Sequence, residues 1–252
     1  MRRLALLAFC ALSLISTAQA ASAAQARHRA VPSCPPAHAH VLLADPHAVV
    51  YTIVEHIKGQ YEVETELATR GCVDGRKGSY KLAQERIPAP LEPGGLTRDF
   101  ALNGTMVAYE ESAALGDRYE SLGTEYHVVV RDLRTGRVLH DIPTGVPLRA
   151  PKPHETKVGV GNLVALVVTG DGAAAWIAED YGRSTSMSPG GLFFDVYAVD
   201  SSGTRLLAAG TDIDPTSLAL SAGTMNLTYP QVVAGTTVYW TEAGKASSTP
   251  LY

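Results

Sequence analysis

Three histidines near the start of the chain, His38, His40 and His47, come nearest to a chemical signature. Alternate positions on a strand face one side, so His38 and His40 could share a divalent cation. Only Asp45 stands at ligand spacing beside them, and that ligand count does not predict a metal site. Asp212-Ile-Asp214-Pro has half of a calcium loop but lacks the third oxygen ligand and the turn glycine, so a turn is expected there.

Nucleophilic catalysis has no candidate. There is no Gly-x-Ser-x-Gly elbow, and His154-Glu155 lacks the second histidine of a zinc helix. Gly159-Val-Gly161 leads into a strand rather than a helix, which excludes a phosphate cradle. Glu110-Glu111 and Glu179-Asp180 pair carboxylates at strand ends. Glycoside hydrolysis needs two carboxyls about 5–9 Å apart across a pocket, so Glu111, Glu179 and Asp180 are the acids a hydrolase would use. The expectation is no catalytic residue, no cofactor and no metal.

The first residues belong to export rather than to the fold. Arg2 and Arg3 precede an apolar run from Leu4 to Ile15, and Ala18-Gln-Ala20 supplies a small-x-small cleavage site, so 1–20 reads as a secretory signal peptide. The run is shorter than the roughly 18 residues that span a bilayer. Cys10 lies inside it and is discarded with it. Residues 21–39 read as an extended leader. Removing 1–20 leaves 19 basic residues against 25 acidic ones, a formal charge of −6. With no basic stripe, that balance disfavours nucleic acid as the partner.

Two cysteines survive, Cys34 and Cys72. An exported chain meets an oxidising compartment, so the pair is expected to form a disulfide that pins the leader to the first repeat.

The elements behind these residues repeat. Aromatic residues in apolar strands, Tyr51, Tyr109, Trp176 and Trp240, follow one another at spacings of 58, 67 and 64. Polar turns, Asp74-Gly-Arg, Asp132-Leu-Arg-Thr-Gly-Arg and Asp200-Ser-Ser-Gly-Thr-Arg, recur at 58 and 68. Two anchors moving together define repeats over about 40–86, 96–143, 160–210 and 215–252. Tyr126–His140 alternates apolar and polar residues around Arg134-Thr-Gly136, a β-hairpin, and Phe194–Leu207 repeats the pattern. Asn103-Gly104 is a hairpin turn, which also explains the glycosylation-like Asn103-Gly-Thr better than a glycan does. The second such match is Asn226-Leu-Thr. The fourth unit holds strands at 217–220, 236–241 and 246–251 with an insertion between the first two.

Four-stranded units of this period predict an all-β, propeller-like stack of about four four-stranded antiparallel blades, one domain over 40–252 whose ring is either closed or incomplete. The aromatic anchors are expected between blades, as large apolar side chains usually are. Segments 112–124 and 180–191, between second and third strands, read as surface loops on one side of the stack. Arg118 and Tyr119 in one, and Tyr181 and Arg183 in the other, are the candidate ligand contacts.

Tyr126–His140, Asp212–Leu220 and Val238–Thr241 give the chain a resemblance to secreted actinobacterial β-propeller-like proteins of WD40-like and TolB-like repeat type. The likeness spans 40–252 as a pattern and departs from it at Met225–Ala234. It implies a binding or scaffolding role and carries across no catalytic residue.

The functional expectation is a secreted module, extracellular or in the cell envelope, that binds a protein or polysaccharide. Alternatives are an extracellular carbohydrate-acting hydrolase and a structural envelope component. Four blades could close alone, stay an open arc, or self-associate with a second copy.

Overall fold

The computed structural model describes residues 34–58, 63–86, 100–114, 124–145, 161–180, 191–221 and 237–252. Residues 1–33, which hold the expected signal peptide and most of the expected leader, lie outside them. The chain is all-β: fifteen strands and no helix among the described residues, arranged in four antiparallel sheets.

Sheet A holds β1 (His40–Asp45), β2 (Ala48–Lys58), β3 (Val63–Val73) and β4 (Tyr80–Arg86). Sheet B holds β5 (Phe100–Asn103), β6 (Met106–Ala114), β7 (Thr124–Asp132) and β8 (Val138–Pro143). Sheet C holds β9 (Leu163–Val168), β10 (Ala174–Glu179), β11 (Phe194–Asp200) and β12 (Gly203–Gly210). Sheet D holds β13 (Ala219–Leu220), β14 (Thr237–Glu242) and β15 (Lys245–Pro250). Each is a meander in sequence order, so each repeat of the sequence is one sheet. Among the described residues the fourth unit has three strands, close to those read at 217–220, 236–241 and 246–251.

Side chains alternate across a strand, and here both faces of the middle sheets are buried. Val107, Tyr109 and Val129 of sheet B pack with Ala48, Val50 and Leu82 of sheet A. Ala108, Val128 and Val130, their neighbours in sequence, pack with Trp176, Ala178 and Tyr197 of sheet C. Ala175, Ile177 and Val196 then meet Val238 and Trp240 of sheet D. The sheets stack face to face in the order A, B, C, D, and β5 lies beside both β1 and β9. Among the described residues no core cluster joins D back to A.

All four aromatic anchors are buried, and they point one way along the stack. Tyr109 faces sheet A, Trp176 faces sheet B and Trp240 faces sheet C. Tyr51 pairs with Arg70 on the face of sheet A turned away from sheet B, yet is only 3% exposed. Cys72 pairs with Val49 on that same face, and its disulfide ties Cys34 there, with 6.1 Å between the Cα atoms.

One hairpin runs further than the sequence predicts. Ser112–Ala114 and Thr124 extend the β6–β7 ladder, with Ser112 opposite Tyr126, so the second-repeat loop shrinks to 115–123. The β2–β3 ladder continues to Lys58 and Val63. Ser112-Ala-Ala114 carries no alternation of large apolar and polar residues, and backbone pairing continues without one.

Candidate functional site

In sheets A to C the strands meet at two different ends. At one end lie the tight turns between first and second strands and between third and fourth strands. From the other end leave the short 59–62 and the longer 115–123 and 180–193 within sheets, and 87–99 and 144–162 between sheets, most of whose residues lie outside the described ones. Sheet D departs from this. Its β14–β15 turn, Ala243-Gly244, is tight at the long-connection end, and β13 ends and β14 begins at the opposite one.

In sheets B and C the turn end is fixed by buried carboxylates at matched repeat positions. Asp132 accepts from the backbone N–H of Arg134 at 2.8 Å and from the hydroxyls of Thr135 and Thr105, each at 2.9 Å. Burial alone would raise its carboxyl. These hydrogen bonds and the Arg134 charge outweigh burial and hold it below its ordinary value. Asp200 repeats the arrangement: burial opposes, while Ser202, the backbone N–H of Tyr252 at 3.0 Å and the Arg205 guanidinium lower it. Asp214, fully exposed, is lowered by the Thr216 hydroxyl and N–H, which confirms the expected turn there. Asp74, the third member of the series, makes no side-chain bond. Its backbone N–H donates to the His47 carbonyl at 3.1 Å.

Glycine is required at one of these turns. Gly136 has φ 77°, and a side chain there would run into the ring of Tyr80 from sheet A. The Asn103 turn locks sheets together: Nδ2 of this buried amide donates to the Val168 carbonyl at 3.2 Å.

The long-connection end is polar. His127 Nδ1 lies 2.7 Å from Asp141 Oδ1, and Glu111 stands opposite His127 in register, all on the side of sheet B that faces sheet A. On sheet A, Arg70 grips Glu55 at 2.7 Å and His56 Nδ1 lies 3.4 Å from the Thr65 hydroxyl. Between sheets B and C, the Leu163 N–H donates to Glu110 Oε1 at 3.1 Å, and the Tyr197 hydroxyl donates to the buried Asp195 at 3.1 Å. Tyr109 is raised by burial, against the lowering influence of Arg131 beside it.

The acids named for hydrolysis are not brought together. Glu111 follows Tyr109 on the face toward sheet A, whereas Glu179 pairs with Phe194 on the face toward sheet D. The main chain of Asp180 bonds to Phe193. Of the histidines, His40 begins β1 and His47 sits in the β1–β2 turn. Among the described residues no group of three His, Cys, Asp or Glu side chains could hold a metal ion. Arg118, Tyr119, Tyr181 and Arg183 lie outside the described residues.

The sequence reading missed His127, Asp141 and Asp195. Each sits within a strand, where one polar residue reads as the solvent side of an alternating pattern. The register, which decides what it faces, is not visible in the pattern. Compared with known families, curated proteins and solved structures, the chain matches no family model, no curated protein and no solved structure. No helix among the described residues is long and apolar enough to cross a membrane.

Proposed function

We propose that the chain is a secreted, propeller-like binding module that holds an extracellular protein or polysaccharide at the long-connection end of its sheets. One observation carries this reading. In sheets B and C the turns at one end are fixed by buried, hydrogen-bonded carboxylates, while the longer connections between second and third strands leave from the other. A rigid stack with variable loops on one side suits recognition, because loops tolerate change that a packed core does not. The charged and hydrogen-bonding strand ends there, Glu55, His56, Glu111 and His127, are of the kind that meets hydroxyl-rich or polar partners. The Cys34–Cys72 bond supports an oxidising compartment. Resemblance to WD40-like and TolB-like repeat proteins points the same way.

The test is to pass the purified chain over a panel of polysaccharides and envelope extracts, scoring retention and released reducing sugar together. Retention without turnover, weakened by Tyr119→Ser with Tyr181→Ser, is the expected result. Released sugar would replace the binding reading with that of a hydrolase, and no retention on any member would favour a structural envelope component.

A further inference from the structure

At the turn end, four cations far apart in sequence come together. The β3–β4 turn of sheet A carries Arg76 and Lys77, and the β7–β8 turn of sheet B carries Arg134 and Arg137. One guanidinium nitrogen of Arg76 donates to the Arg134 carbonyl oxygen at 2.7 Å, which sets the two turns side by side. All four side chains are exposed.

Little nearby neutralises them. Asp132 is turned inward to its own hydrogen bonds, and Arg134 Nε reaches it only at 3.9 Å. Asp74 is the single exposed acid on the two turns. Among the described residues Arg76, Lys77 and Arg137 have no carboxylate partner. The corresponding arginine of sheet C is used differently: Arg205 binds Asp200 and the Pro250 carbonyl and lies 5.9 Å from the Tyr252 ring centroid. The cationic surface therefore ends at sheet B, on a chain whose formal charge is −4.

We infer that these two turns form a second binding surface, for a linear polysaccharide bearing carboxylates. The cations are spread over two exposed turns rather than gathered in a pocket, which fits charge repeated along a polymer. Three of the four are arginines, whose planar fork matches a planar carboxylate in two parallel hydrogen bonds. The ring between the two turns, that of half-buried Tyr80, packs against Gly136 and the core rather than standing free for a nucleic-acid base to stack on. The surface lies opposite the long-connection end and stands or falls separately from the function proposed there.

The test titrates the full-length chain with alginate, dextran sulfate, neutral dextran, poly-aspartate and duplex DNA at about 0.05 M and about 0.3 M salt, since such contacts are screened within about 10 Å at 0.1 M. Binding to alginate is expected at low salt. Arg76→Gln, Lys77→Gln, Arg134→Gln and Arg137→Gln combined should weaken it about tenfold, while Lys245→Gln leaves it unchanged. If the fourfold variant does not fold, Lys77→Gln with Arg137→Gln removes two side chains that make no bond and should still weaken binding about threefold. Unchanged alginate binding in these variants, equal binding to neutral dextran, or preference for dextran sulfate, poly-aspartate or DNA would each overturn the assignment.

Discussion

Trp176 Nε1 donates to the carbonyl oxygen of Thr144 across 2.9 Å, a buried bond from the middle of sheet C to the end of sheet B. The same indole stacks on Tyr197 with centroids 5.4 Å apart. One side chain thus fills the interface between two repeats and satisfies a main-chain group that water cannot reach.

Trp176→Phe keeps most of the volume and removes the donor. The stranded carbonyl should cost about 1–3 kcal/mol, and Trp176→Ala, which also opens a cavity, about 3–5 kcal/mol. Urea unfolding of the two variants checks both figures.

The carboxylate anchors should separate cleanly by burial. Asp132→Ala and Asp200→Ala each strip several hydrogen bonds from a charged acceptor and should destabilise by about 2–4 kcal/mol. Asp74→Ala, at the matching position but without a side-chain bond, should stay within about 0.5 kcal/mol. Equal losses at all three positions would mean that the turns are held by something other than these bonds.

Acid should weaken the fold in two stages. His140 is lowered from 6.5 by burial, partly offset by Asp200, so below that pH the unfolded chain binds the proton more readily and stability falls. Asp132 and Asp200 are lowered from 3.8, so their contribution is complete above that value and disappears as pH drops below it. The urea midpoint, followed from pH 8 to pH 3, should decline first below about 6.5 and again below about 3.8. His140→Gln should reduce the first decline and leave the second.

Removing the disulfide with Cys34→Ser and Cys72→Ser should cost about 4 kcal/mol on the chain-entropy account of a loop of this size. Because Cys72 shares its face with Tyr51, the variant should also raise quenching of Tyr51 fluorescence by an added solute, read against a Tyr51→Phe control.

Much of this architecture was legible in the sequence. Tyr51, Tyr109, Trp176 and Trp240 mark one strand in each repeat, and Asp74, Asp132 and Asp200 mark one turn in each of three. Local patterns set both, and the sheets follow them. What each face meets was not legible, because alternation shows that Glu111 and Glu179 leave their strands but not that they leave toward different neighbours. The pairing of Arg76 with Arg134 was present as a spacing of 58 residues, yet it becomes a charged surface only when the sheets stack. The strand end beyond Glu111 was read as loop because Ser112-Ala-Ala114 lacks the periodicity of large apolar residues.

The measurement that tests the account most directly is replacement of 115–123 and 181–190 by glycine-serine segments of equal length. It should be followed by thermal unfolding and by retention on whichever panel member holds the parent chain. A rigid stack that recognises its partner through these connections predicts an unfolding midpoint within about 4 °C of the parent and loss of retention. Undiminished retention in the folded variant would contradict it, because binding would then reside in the stack itself.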